Sequence, residues 1–324
     1  MKALVQTAVE TLVLRDVPEP DAPEGSHLVR VEASGICGSD MHAFLGHDPR
    51  RPVPLILGHE ASGTVSGGPK DGMRVTINPL VTCGTCPACR EGRPNLCADR
   101  QIISMPPREG AFAQYVALPE RNLVPTELPP RKAALAEPIA CGWHAVRLAL
   151  AAARDRADEG LVIGGGAIGV GAALSLLAQG VPEVTLLEPN ELRRGYLDGL
   201  GAFDVAPPDA LAGRMFDVVV DGVGIDATRA AASASARPGG AIAHVGLGGG
   251  SGGLDIRRLT LQEIAFLGTY TYTDADFRDT AAAMADGRLG ALDWTETRPL
   301  SEGARAFADI RAGRVAAPKI ILCP

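Results

Sequence analysis

Leu161-Val162-Ile163-Gly164-Gly165-Gly166-Ala167-Ile168-Gly169 is the stretch that decides the fold. A short run of apolar residues, suited to a buried strand, passes directly into G-x-G-x-x-G and then into an apolar helical segment. Each glycine has a task. Gly164 makes the tight turn, Gly166 lets a pyrophosphate approach the backbone, and Gly169 allows close packing of helix on strand. Amides at the helix start then face the phosphates. Glu188 ends the next strand-like run, Glu183–Glu188, 19 residues after Gly169. About 20 is the spacing expected of the acid that binds the ribose 2′-hydroxyl. A carboxylate there repels a 2′-phosphate, so the residues favour NAD over NADP, with Arg194 keeping the second option open.

Outward from this loop, helices are predicted from Ala167 and Glu191. Strands are predicted at Phe203–Ala206, Phe216–Asp221, Ala241–Gly246 and Ile264–Gly268. Near-continuous apolar strands alternating with helices imply a parallel sheet covered on both faces, a Rossmann-type doubly wound α/β domain. Upstream the texture changes. Residues 1–138 are rich in Pro and Gly, and runs at Leu28–Glu32, Ala61–Val65, Arg74–Ile77 and Ala113–Ala117 predict a small, irregular β domain. Ala-rich helix is expected over Ala133–Ala136 and Trp143–Ala153, and a loop beside the sheet over Gly239–Gly253. A helix over Asp274–Asp286, the segment Leu292–Pro299, a helix over Ser301–Ala312 and strand-like Lys319–Leu322 look like a return to the first domain. The expected division is therefore 1–138 with 273–324, interrupted by a dinucleotide-binding domain at 139–272.

The length, 324 residues, suits about two domains. A net charge of −7 argues against nucleic-acid binding, which depends on basic residues neutralising phosphates. Gly160–Pro182 carries no charge for 23 residues, but seven glycines and the nucleotide loop argue against a membrane span. Met1–Thr7 lacks the apolar core of a signal peptide, so a cytoplasmic protein is expected. Seven cysteines are too few for a disulfide scaffold, where roughly 8–10% is usual.

Four of those cysteines form C-x2-C-x2-C-x7-C at Cys83, Cys86, Cys89 and Cys97. Two-residue spacers let a tight turn present neighbouring sulfurs to one ion, and four thiolates close a tetrahedral, structural zinc site. An iron–sulfur cluster is the competing reading, but its run expects three residues before the fourth cysteine and a proline after it. A second set of donors lies in Gly35-Ile-Cys37-Gly-Ser39-Asp40-Met-His42 and in Leu57-Gly58-His59-Glu60. A catalytic zinc needs three protein ligands and an open position. Cys37 and His59 supply two, and Glu60, Glu137 and Cys141 are the candidates for the third.

Taken in order, these motifs with Glu137-Pro138 and the glycine loop resemble the zinc-containing medium-chain alcohol and polyol dehydrogenases, particularly the sorbitol and threonine dehydrogenase branch. The resemblance covers essentially the whole chain and implies a GroES-like catalytic domain carrying the zinc lobe at 83–97. It implies catalytic zinc at Cys37 and His59, with Glu60 a direct or exchanging ligand and Glu137 completing the site or binding its water. Cys141 falls where the simple-alcohol branch carries a cysteine ligand; the Glu-Pro pair favours the glutamates. Asp40 would hold the ligand histidine. Ser39, the cofactor ribose and His42 would relay the proton, and Arg193 would lie near the adenosine. Ile168 and Val245 are expected cofactor contacts beside Gly164, Gly166, Gly169 and Glu188. The loop Ser66–Gly72 is shorter than usual for such enzymes. Arg50-Arg51 is expected as solvated charge, with an anionic substrate group as its other use. Phe44, Arg51, Tyr270 and Arg298 are candidate pocket walls.

The implied activity is NAD-dependent oxidation of a secondary alcohol, a polyol or sugar alcohol, to the ketone. Threonine or a simple alcohol is the alternative substrate, and a non-catalytic NAD-binding zinc protein the remote one. The partners expected are a small-molecule alcohol and further copies of the chain, as homodimer or homotetramer, with no nucleic acid and no membrane.

Overall fold

The computed structural model describes residues 1–153, 157–211 and 213–324. Six strands, Glu159–Ile163, Glu183–Leu187, Asp204–Ala206, Phe216–Asp221, Ala236–His244 and Ala265–Gly268, pair in parallel. Their spatial order is third, second, first, fourth, fifth, sixth. The order reverses beside the first strand, which opens a crevice at the strand ends where a ligand can sit. Gly164 leaves that strand at φ +104°, and Gly166 caps the helix Ala167–Ala178. The loop expected over Gly239–Gly253 begins later than the glycines suggest. Gly239 and Gly240 belong to the fifth strand, in the irregular stretch between its paired residues Ala236 and Ala241, where Gly239 takes φ +74°.

The helix expected only from Trp143 starts at Ala136 and runs to Ala152. Pro138 lies in its first turn, where a missing N–H forfeits no intrahelical bond. Gly142 is required by packing. A Cβ there would stand 2.5 Å from the Ala172 nitrogen, and one on Gly171 would stand 2.9 Å from the Ile139 Cα. Two helices thus meet backbone to backbone through a reciprocal pair of glycines. The helix Asp274–Ala285 lies in the same apolar cluster, contributing Phe277, Ala283 and Met284 beside Ile139, Trp143 and Val146. Buried polar bonds reinforce the contact: His144 Nδ1 lies 2.7 Å from Asp276 Oδ2, and Arg147 Nε donates to Oδ1 at 2.6 Å.

The remaining large sheet has seven strands. Ser26–Gly35 is its centre, antiparallel to Glu60–Ser66 and Tyr115–Pro119, and antiparallel at its end to Lys319–Cys323 through Ile321 opposite Gly35. Thr295–Pro299 lies parallel to Lys319–Cys323. The strand expected at Ala113–Ala117 is displaced to Tyr115–Pro119, since its pairing with Ser26–Arg30 selects that register. No described helix is long and apolar enough to cross a membrane.

Candidate active site and metal centres

The four-cysteine motif folds as its spacing requires. Cys83, Cys86, Cys89 and Cys97 bring their sulfurs within 4.8 Å of one another. Cys83 Sγ stands 3.5 Å from Cys97 Sγ and 3.9 Å from Cys89 Sγ. Thiolates about 2.3 Å from one ion stand about 3.8 Å apart in a tetrahedron, so the spacing fits zinc. The Thr85 and Cys86 amides point at Cys83 Sγ from 3.5 and 3.3 Å and lower its pKa to about 6. All seven cysteines are free thiols.

A second donor set forms where Gly35 ends the central strand. Cys37 caps the short helix Gly38–Phe44, and the next strand begins at Glu60. Cys37, His59 and Glu60 place one ligand atom each within 4.8 Å of the others. His59 Nδ1 lies 3.4 Å from Asp40 Oδ1 and from Ser104 Oγ, which leaves Nε2 to face the thiol. Burial works against the imidazolium, yet Asp40 and Cys37 outweigh it and raise the His59 pKa well above its ordinary value. Asp40 is completely enclosed. Burial raises its pKa, but His59, Arg51 and the Cys37 amide together bring it down to about 2.

Glu60 is fully buried, and the residue that balances it is Lys319, which sequence reasoning missed. Lys319 Nζ donates to Glu60 Oε1 at 2.6 Å and to the Ile36 carbonyl at 2.8 Å. It also stands 2.5 Å from Oε2, at an angle that makes no hydrogen bond, so that oxygen keeps an unshared lone pair. A carboxylate, a thiol and an imidazole within 4.8 Å of one another form a donor set that fits a divalent cation such as zinc. A lysine opening an otherwise apolar terminal strand was the available signal.

Of the other ligand candidates, Glu137 and Cys141 line a cleft together with Cys37 and His59, which Glu60 sits behind rather than lines, but they do not join this group of three. Tyr272, also unanticipated, donates its hydroxyl to Glu137 Oε1 at 2.9 Å. Burial, with Glu60 nearby, raises the Glu137 pKa to about 7 against the opposing pull of His59. Burial also raises the Cys141 pKa. The cleft has a volume of about 380 Å³ and is lined by Ser39, His42, Ile168, Val245 and Tyr270, among others. Ser39 and His42 lie three residues apart on one short helix, the serine half-buried and the histidine exposed.

Of the four expected pocket walls, Arg51 and Tyr270 line the cleft, whereas Phe44 and Arg298 lie elsewhere. Phe44 packs on Phe307 in a separate core, with ring centroids 5.1 Å apart. Arg298 pairs with Asp309 and Glu296. Arg51 is not solvated charge. It is 4% exposed and donates to the Ser39 carbonyl at 2.8 Å while lying 3.4 Å from Asp40 Oδ1. Asp40 recruits it because an enclosed carboxylate needs donors from every side. Arg50 is the exposed member of the pair.

At the nucleotide loop, a Cβ on Gly169 would stand 1.7 Å from the Gly164 carbonyl oxygen, whereas one on Gly166 would meet nothing. The open side at Gly166 leaves room for a group to approach its backbone. Glu188 is buried, accepting from Gly165 N at 3.0 Å and Asn190 N at 2.8 Å. Arg193 donates to the Val315 carbonyl, and Arg194 turns back on the Glu188 and Pro189 carbonyls.

The chain is 31% identical over 294 residues to L-galactonate-5-dehydrogenase of Escherichia coli, covering 86% of this chain and 84% of the relative. It belongs to the zinc-containing medium-chain alcohol and polyol dehydrogenases. The family model for the alcohol dehydrogenase GroES-like domain matches residues 23–129, and that for zinc-binding dehydrogenase matches 167–286. Sorbitol dehydrogenase of Bacillus subtilis is 35% identical over 271 residues, 76% of this chain and 75% of that one. The acetophenone reductase of Geotrichum candidum, solved in complex with NAD, superposes with a TM-score of 0.86 at 26% identity, covering 100% of this chain and 97% of that one. The parallel sheet and the irregular β domain of this dehydrogenase are thus the Rossmann and GroES-like domains of its family.

Proposed function

We propose that this dehydrogenase oxidises a secondary alcohol of a polyol or sugar alcohol to the ketone, with NAD as acceptor. The single observation that carries the reading is the grouping of Cys37, His59 and Glu60, whose first two members line a cleft that reaches Ile168 of the nucleotide loop. Two electrons and the carbon-bound hydrogen pass to NAD, and the hydroxyl proton passes to solvent. Zinc held by Cys37, His59 and Glu60 would supply Lewis acidity to the substrate oxygen, and bound NAD would supply the hydride acceptor.

The chain's own residues do the rest. Asp40 fixes His59 in the tautomer that presents Nε2 as a lone pair. Arg51 anchors the Ser39 backbone, so the hydroxyl stays in the cleft to take the substrate proton. His42, exposed on the same helix, passes it outward. Of the three possible third ligands, the grouping favours Glu60, leaving Glu137 beside Tyr272 to bind water or a substrate hydroxyl. The Glu188 carboxylate at the Gly165 amide supports NAD over NADP, because both neighbouring arginines are engaged on backbone carbonyls.

A division at 1–138 with 273–324 accords with the pairing of Lys319–Cys323 in the first sheet. The packing of Asp274–Ala285 on Ala136–Ala152 instead favours moving the second boundary beyond that helix. Exposed Ile256 and Leu261, in the helix before the sheet's edge strand, support assembly with a second copy. Seven free thiols support a reducing compartment, the cytoplasm.

The test is NADH absorbance across hexitols, pentitols, simple alcohols and threonine, with zinc-loaded protein. Turnover of a polyol that disappears on zinc removal and returns on reloading is expected. Full activity without zinc, or selective turnover of threonine, would overturn the reading.

A further inference from the structure

Beside the catalytic cleft lies a second hollow of about 280 Å³, and the two share Arg50, Ile102, Met105 and Tyr270. Two guanidinium groups, Arg50 and Arg100, line the smaller hollow, and no carboxylate does. In a chain of net charge −7 such a lining is unexpected. None of the glycine-loop residues 164–169 takes part, so this hollow is separate from the nucleotide loop.

Both cations are held in fixed orientation. Asp48 grips Arg50 along one edge, Nε to Oδ1 at 2.8 Å and Nη2 to Oδ2 at 2.9 Å. Arg100 lies over the Tyr270 ring at 4.9 Å, donates Nε to its hydroxyl at 3.3 Å and donates Nη1 to the Cys97 carbonyl at 2.8 Å. Among the described residues, Arg100 has no acidic partner. Its Nη2 and the Nη1 of Arg50 donate to no protein atom there. Two preoriented guanidinium groups match an anion's oxygens at little entropic cost.

We propose that this hollow is an anion subsite, and that the substrate is a polyol carrying a carboxylate or phosphate at the end remote from the reacting hydroxyl. The inference rests on the polyol dehydrogenase reading and refines its substrate class. Tyr270 joins the two spaces, so a chain of hydroxylated carbons reaching from the buried donor group passes this ring before its charged end meets the arginines.

The experiment uses zinc-loaded enzyme with saturating NAD and compares kcat/KM for a neutral hexitol, its terminal phosphate ester and the corresponding aldonate. One anionic arm should exceed the neutral arm by tenfold or more, and whichever does so identifies the anion. Arg100→Gln and Arg50→Gln should each lower that anionic-to-neutral ratio by roughly tenfold, the loss of one charge-assisted hydrogen bond. Both side chains are exposed, and thermal melting confirms that the variants fold. A neutral hexitol used as well as both anionic forms, or a ratio unmoved by either substitution, overturns the subsite while leaving the dehydrogenase reading intact. If no alcohol is turned over, the dehydrogenase reading falls. Calorimetry with inorganic phosphate then decides the subsite: binding weakened about tenfold by Arg100→Gln supports it, and no binding overturns it.

Discussion

Replacing Lys319 by Met would separate the electrostatics of the buried donor group from its packing. Lys319 is 3% exposed and Glu60 is fully enclosed. The ammonium meets both carboxylate oxygens, at 2.6 and 2.5 Å, and also serves the Ile36 carbonyl. Methionine keeps most of the volume and removes the charge. It leaves a carboxylate in a medium that cannot solvate it, which costs about 3–5 kcal/mol when one partner of a buried pair is lost. The orphaned Ile36 carbonyl adds about 1–3 kcal/mol where water cannot reach it. The assay is urea unfolding in chelator, followed by the fluorescence of Trp294 and Trp143, both buried. The variant without metal should lose about 3 kcal/mol or more. Glu60→Gln combined with Lys319→Met should recover part of that loss, because the carboxylate is no longer charged. Bound zinc should restore the single variant more than the wild type, since Glu60 then answers to one cation rather than two. A loss below about 1 kcal/mol in chelator, or no coupling between the two substitutions, would refute the account of Glu60 as a carboxylate balanced by Lys319.

Cys97→Ser should lower bound zinc from two ions per chain to one, measured by elemental analysis, and loosen the lobe that carries Arg100. Gly169→Ala forces a Cβ to within 1.7 Å of the Gly164 carbonyl oxygen; it should destabilise by about 1–3 kcal/mol or more and weaken NADH binding, read by fluorescence titration. Burial raises the Asp276 pKa, but His144, Arg147 and Thr273 outweigh it and hold it below the ordinary range. Its contribution is therefore present above the unfolded value near 4 and is lost as pH falls through the depressed one. Asp276→Asn should flatten that acid limb of the stability profile, and a limb of unchanged slope would count against the pair with His144.

The parallel sheet was legible because its central strands are buried on both faces and therefore continuous in apolar residues. Gly164 and Gly169 each perform a local backbone task that no other residue performs equally well. The four-cysteine lobe was legible for the same reason, since two-residue spacers and short turns bring its sulfurs together within one segment. Cys37 and His59 could be paired from the chain alone only through their resemblance to a family.

Sequence by itself thus determined the fold class, the structural metal lobe and the nucleotide loop, all properties of short stretches. Tertiary structure decided what depends on distant residues meeting. Lys319 reaches Glu60 across 259 positions, Tyr272 reaches Glu137 across 135, and Arg100 reaches Tyr270 across 170. It also turned Arg51 inward, although its neighbour Arg50 stays in solvent. The physical reason is common to the buried cases, Lys319 with Glu60, Tyr272 with Glu137 and Arg51 with Asp40. A buried charge must find its partner wherever the folded chain supplies one, and local pattern does not record which residue that will be.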